Sequence, residues 1–158
     1  MKHIEDDIFK IERGILVHGC NAKGVMGSGI ALTIKNRFPS AFLAYREAFN
    51  NGELRLGSIT VVRPRDSFFI VNGVTQDRYG REQGVVYVNY NAVRCVFSQA
   101  AALAKKENLP LIFPLIGCGL AGGAWATVSK IIEEECQGVE TILCTLPENK
   151  NTLKPIKP

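Results

Sequence analysis

The sequence predicts an α/β fold, a three-layer α/β/α sandwich built around a mixed central sheet. Three observations lead there. Apolar runs of strand length alternate with amphipathic helical patterns along most of the chain, glycine-rich turns directly follow two of those runs, and 158 residues suit one domain with a single core. Hydrophobic residues make 46% and charged residues 22%. That composition is ordinary for a globular domain and excludes disordered, collagen-like and coiled-coil classes.

The elements follow in order. Gly14-Ile15-Leu16-Val17-His18 is a short apolar run read as a strand, and from Gly29 the residues Ile30, Ile34 and Phe38 share one helical face. Pro39-Ser40 interrupts that helix. A second helix carries Phe42, Tyr45 and Phe49 towards the Asn50-Asn51-Gly52 stop. Ser58 to Val62 and Ser67 to Thr75 read as a strand pair separated by the turn signal Arg63-Pro64-Arg65-Asp66. Gln76 to Gly84 is the one long polar interruption and is expected as a mobile surface loop. From Asn91 to Lys106 the residues Val93, Phe97, Ala100, Ala101 and Ala104 form the clearest helical stripe, with Lys105 and Lys106 suited to its C-terminal dipole. Leu111-Ile112-Phe113-Pro114 is a buried strand, Trp125 to Cys136 a helix, and Thr141 to Leu146 the last strand. The single domain is expected over residues 1–147, and residues 148–158, rich in proline and lysine, form an expected flexible tail.

The Lys plus Arg count exceeds Asp plus Glu by 19 − 15 = +4. This mild excess favours an anionic ligand without reaching a nucleic-acid-binding composition. The five cysteines contain no Cys-x-x-Cys pair, so neither a disulfide framework nor a metal site is signalled, and reduced thiols fit a cytoplasmic setting. No segment approaches the ~20 apolar residues of a membrane helix, so no membrane partner is expected.

Two glycine-rich loops carry the functional signal. The first runs Gly19-Cys20-Asn21-Ala22-Lys23-Gly24-Val25-Met26-Gly27-Ser28-Gly29-Ile30-Ala31, between a strand and its helix. Glycines there leave backbone N–H groups exposed beside a helix N-terminus, a place suited to phosphate, although a plain strand-to-helix turn uses glycine equally well. The second, Pro114-Leu115-Ile116-Gly117-Cys118-Gly119-Leu120-Ala121-Gly122-Gly123, again follows a strand and precedes a helix. Both loops would lie at the carboxyl ends of strands and could close on one diphosphate from two sides. Neither matches Gly-x-x-x-x-Gly-Lys-Ser/Thr, which disfavours a Walker NTPase.

Together with Asp7-Ile8 and Val17-His18-Gly19-Cys20-Asn21, these loops resemble the macro domain family. The likeness runs from about Asp6 to Leu146 and is nearest to the branch of yeast-type ADP-ribose 1″-phosphate phosphatases and terminal or DNA ADP-ribose glycohydrolases. The resemblance implies the macro fold and an ADP-ribose pocket, with no cofactor and no metal. It implies that Asp7 accepts from the adenine amino group beside the Ile8 amide, that Asn21 faces the distal ribose, and that Gly27, Ser28, Gly29 and Ile30 hold one phosphate. Ile116, Gly117, Cys118, Gly119, Leu120 and Ala121 would hold the other phosphate, and Cys20, Gly24, Val25, Met26 and Pro114 complete the expected binding set.

Chemistry is expected at His18 and Asn21. His18 occupies the position of the histidine in the yeast-type phosphatase motif, and an imidazole titrating near ~6.5 could protonate a leaving oxygen; a strand-end histidine that only packs is the plainer alternative. The chain departs from the glycohydrolases at Gln76, where they resemble each other in a lysine after the threonine, and at Ala121, where some add an aspartate. Glutamine cannot form a Schiff base with ribose. Cys20 and Cys118 read as small packing residues, and Lys23 as a solvated loop lysine. The expected function is therefore an ADP-ribose-binding phosphatase acting on ADP-ribose 1″-phosphate. An ADP-ribosyl hydrolase acting on protein or nucleic acid and a non-catalytic binder stand beside it, and a monomer is expected.

Overall fold

Strand β1 (Lys2–Glu5) opens the chain and a 3-10 turn at Ile8–Lys10 leads into β2 (Gly14–Asn21). The computed structural model describes residues 1–147, and the expected tail lies outside them. Helices α1 (Gly29–Arg37) and α2 (Pro39–Asn50) follow, meeting at Phe38, which ends one helix and starts the other because Pro39 cannot donate to a continuing turn. Then come β3 (Ile59–Arg65), β4 (Phe68–Gln76), α3 (Tyr90–Glu107), β5 (Leu111–Phe113), α4 (Trp125–Glu135) and β6 (Thr141–Thr145).

The six strands form one sheet in the order β1-β6-β5-β2-β4-β3. Only β3 runs antiparallel to its neighbour, so the sheet is mixed as the sequence predicts. Ile15 and Val17 face α3 and α4, together with Val71, Phe97, Phe113 and Val128. The alternate residues Leu16, Ile70 and Ile112 face α1 and α2, against Ile34 and Ala41. Apolar residues on both faces of β2 are what a central strand covered by two helical layers requires. The α3 stripe is buried as expected, and Phe97 meets Phe113 edge to face at 5.3 Å. Truncating Phe97 would leave a void costing about 3–5 kcal/mol.

Two expectations need correction. Lys2–Glu5 forms a strand, β1, that the sequence pattern does not predict: it is exposed throughout and pairs with β6. The Arg63-Pro64-Arg65 segment is not a turn: β3 continues through it with a register shift between Val62 and Arg65, and the reversal falls at Asp66-Ser67, where Ser67 takes φ 57°. An edge strand tolerates proline at such an irregularity because its N–H side need not be paired.

Candidate functional site

The strand order sets the site. β2 and β5 are parallel neighbours, yet β2 feeds α1 on one face of the sheet while β5 feeds α4 on the other. Connections that leave adjacent strands in opposite directions open a crevice at their carboxyl ends. Here the crevice is a cavity of about 620 Å³, in the range of a small-molecule site.

Both glycine loops border it. From the first come Cys20, Asn21, Val25 and the Gly27-Ser28-Gly29-Ile30 turn; from the second come Pro114 and the run from Ile116 to Ala121. The first-turn amides of α1 have no intrahelical acceptors, and the Ser28 side chain does not cap them. Gly29 takes φ 57°, and a Cβ built on it would meet nothing within 4 Å, so its surroundings are open. A ring of uncapped amides at a helix N-terminus favours an anion.

The rest of the first loop is held from behind. Tyr45 on α2 is fully buried, and its hydroxyl donates to the Asn21 carbonyl at 2.5 Å and reaches the Asn21 Oδ1 at 3.0 Å. The Asn21 Nδ2 donates to the Val25 carbonyl at 2.8 Å, and its Oδ1 accepts from the Lys23 amide at 2.9 Å. Asn21 thus borders the cavity while its side chain fastens the loop across its own turn. Arg46 donates to the Gly24 carbonyl at 3.2 Å.

Five expected site residues do not line the cavity. Met26 packs under the loop with Cys20 and Tyr45, and Gly24 lies against Arg46 and Phe49. Asp7 and Ile8 stand farther along the same edge of the sheet, just past the end of β1; the Asp7 Oδ1 accepts from the Phe9 amide at 2.9 Å. The fifth is His18. Its side chain points to the α1–α2 face, fully buried, with Nε2 2.6 Å from the Asn72 Oδ1, while the Asn72 Nδ2 donates to the Ala41 carbonyl and to Thr60. Burial pushes its pKa down to about 4, against the opposing pull of Asn72. The expectation of an acid at His18 is corrected on both counts: the ring is neutral at pH 7 and does not reach the cavity.

Residues outside the expected set complete the walls. Gly19, Thr75 and Gln76 come from the ends of β2 and β4, and Tyr79, Gly80 and Arg81 from the loop after β4, with Ala31 and Leu115 beside the glycine turns. That loop is exposed as predicted, but it also forms one side of the cavity. Arg81 is the only formally charged side chain among the described lining residues; Lys23, which does not line the cavity, pairs with Asp77 at 3.5 Å. Among the described residues that line it there is no carboxylate and no imidazole. The two thiols there are poor nucleophiles: burial raises the Cys20 pKa far above its usual range and that of Cys118 to about 11. Gln76 donates from Nε2 to the Arg78 carbonyl at 2.9 Å. Among the described residues no cluster of three metal-ligating side chains occurs, and no helix is long and apolar enough to cross a membrane.

Comparison with known proteins agrees with this geometry. The family profile described as Macro domain matches residues 17–132. The DNA ADP-ribosyl glycohydrolase of Mycobacterium tuberculosis is 27% identical over 128 residues, covering 78% of this chain but only 35% of that protein, so the chain spans about a third of that relative's length. The ADP-ribose 1″-phosphate phosphatase of Meyerozyma guilliermondii is 24% identical over 162 residues, covering 85% of this chain and 93% of that protein. A solved structure of a Bacteroides thetaiotaomicron protein of unknown function superposes with a TM-score of 0.85 at 27% identity, covering 92% of this chain and 97% of its own.

Proposed function

The chain belongs to the macro domain family, and from that premise we propose that its cavity binds ADP-ribose and that it removes the terminal phosphate of ADP-ribose 1″-phosphate. The observation that carries the binding is the convergence of two glycine loops at the crevice between β2 and β5, one of them offering the uncapped amides of a helix N-terminus. A diphosphate laid between the loops has its charge met by main-chain dipoles on both sides. The strand order supports one orientation for its two ends. Asp7 lies past β1 on one side of the loops, and Thr75 and Gln76 end β4 on the other, so an adenine near Asp7 sends the terminal ribose towards β4.

The phosphatase reading is favoured by the near full-length match of the Meyerozyma guilliermondii enzyme. In the reaction water attacks the terminal phosphorus, the phosphorus–oxygen bond to the ribose breaks, and the departing oxygen takes up a proton as water gives one up. With no carboxylate or imidazole among the described residues on the cavity walls, the protein's contribution is positioning and stabilisation of charge by amides and Arg81. The same absence of acid and base supports a second reading, a binder that holds ADP-ribose, free or attached to a macromolecule, without turning it over. Gln76 offers no amine, which disfavours glycosidic cleavage through a lysine adduct.

Calorimetry with ADP-ribose and AMP, run beside phosphate release from ADP-ribose 1″-phosphate, tests these readings. ADP-ribose is expected to bind more tightly than AMP, because AMP fills one phosphate position and lacks the distal ribose. Phosphate release identifies the phosphatase, tight binding without release identifies the binder, and equal or absent binding of both ligands overturns the assignment.

A further inference from the structure

Residues 85–88 run between two walls of the cavity. On one side they hold the second glycine loop: the Tyr87 and Val88 amides both donate to the Ala121 carbonyl, at 2.7 Å and 3.2 Å. That loop makes room for them. A Cβ on Gly117 or Gly123 would lie 2.6 Å from a Val88 methyl, and one on Gly122 would lie 2.9 Å from the Val85 carbonyl oxygen. Glycine at these positions therefore serves the close approach of residues 85–88, apart from anything a ligand requires.

On the other side the same residues hold the loop after β4. Tyr87 is buried, and the Arg78 guanidinium stacks over its ring at 5.0 Å. The Tyr87 hydroxyl accepts from the Glu82 amide at 3.3 Å, and Gly80 lies so close that a Cβ there would overlap the hydroxyl oxygen. Gly80 and Glu82 are the chain neighbours of Arg81. The one charged side chain among the described lining residues is thus bracketed by two contacts to a single phenol, which does not itself line the cavity.

We infer that Tyr87 is a positioning residue that acts through Gly80 and Glu82 to set where the Arg81 guanidinium meets the bound ligand. This rests on the ADP-ribose reading of the cavity. Arg81 stands on an exposed loop, and a loop ordered only at the moment of binding would give up part of the contact energy as lost freedom. Tyr87 orders it beforehand. Its own place is fixed by the bond from its amide to Ala121, so the guanidinium is held in register with the second glycine loop.

The test is a double-mutant cycle on affinity for ADP-ribose 1″-phosphate, read as kcat/KM where the ligand is turned over. Gly80→Ala pushes the loop off the phenol at a residue whose φ is not left-handed, and Tyr87→Phe keeps the ring but removes the acceptor of the Glu82 amide. Both variants should remain folded by circular dichroism. Alone, Gly80→Ala should weaken binding about five-fold and Tyr87→Phe about three-fold, against about ten-fold for Arg81→Ala. On the Arg81→Ala background neither should add a loss, so Gly80→Ala with Arg81→Ala stays near ten-fold where independent effects would give about fifty-fold. Losses that persist in full on that background overturn the inference, because Tyr87 would then support the cavity without acting through Arg81. Unchanged binding in Gly80→Ala or Tyr87→Phe overturns it too, as does unchanged binding in Arg81→Ala, and both leave the ADP-ribose reading standing. Failure of the wild type to bind either ADP-ribose or its 1″-phosphate overturns that reading and this inference with it.

Discussion

His18 and Asn72 stand opposite each other on neighbouring parallel strands and share a 2.6 Å hydrogen bond in the interior. Asn72 passes the contact on to the Ala41 carbonyl of α2 and to Thr60 of β3, so one imidazole ties three elements on the α1–α2 side of the sheet. Its pKa in the fold, pushed down to about 4 by burial, lies below the ordinary value of 6.5. Between those values the unfolded chain holds a proton that the folded chain refuses. The stability linked to His18 is therefore fully present above pH 6.5 and is lost as pH falls towards 4, by about 3 kcal/mol across the window. Denaturant midpoints of the wild type and His18→Gln at pH 7 and pH 4.5 check this: the variant should be less stable at pH 7, and the gap should narrow at pH 4.5. Parallel profiles would mean the ring is not held neutral.

Tyr45→Phe removes the hydroxyl that holds the Asn21 carbonyl and side chain. The variant should lose about 1–2 kcal/mol, a fall of roughly 2–8 °C in melting temperature for a domain of this size. ADP-ribose affinity should fall as well, because the loop that Asn21 fastens carries half of the anion cradle. A variant that melts lower and binds normally would separate the loop's support from its function.

Gly29→Val acts on the cradle directly. At φ 57° a β-branched side chain strains the backbone by about 1–2 kcal/mol, while the space around its Cβ is open, so the protein should remain folded by circular dichroism. The valine methyls should fill the approach to the α1 amides and abolish ADP-ribose binding in calorimetry. Normal binding by the folded variant would remove the first loop from the phosphate site.

Arg81→Ala removes the one charged side chain among the described residues that line the cavity. Affinity for ADP-ribose 1″-phosphate should fall about ten-fold, and more than affinity for ADP-ribose, because the extra phosphate brings the charge that a guanidinium meets best. The difference should shrink in high salt, since Arg81 is exposed. An equal loss for both ligands would place Arg81 at the diphosphate instead.

The sequence was most legible where pattern and burial coincide. The stripe from Val93 to Ala104, the apolar runs of β2 and β5, and the two glycine loops all stand where periodicity and turn chemistry predict. β1 was hidden because its residues are exposed, so its pairing with β6 across the whole chain left no local pattern. The misassignment of His18 has a similar origin. Both faces of β2 are buried, so alternation along Ile15-Leu16-Val17-His18 did not reveal which side meets the cavity. Arg81 enters the site through the loop after β4 and the adjacency of β4 to β2, a relation of the sheet order that no short stretch of sequence encodes.

The proposed anion cradle at the head of α1 is made of main-chain amides, and that has a bearing on divergence. Amide dipoles belong to every residue except proline, so substitutions outside the few positions that need glycine can change the side chains of the loop without removing its donors. Diphosphate affinity can then persist through extensive drift, while the side chains at the β4 end are free to be recast for a different group. Two such domains a quarter identical can hold the same nucleotide and act on different bonds.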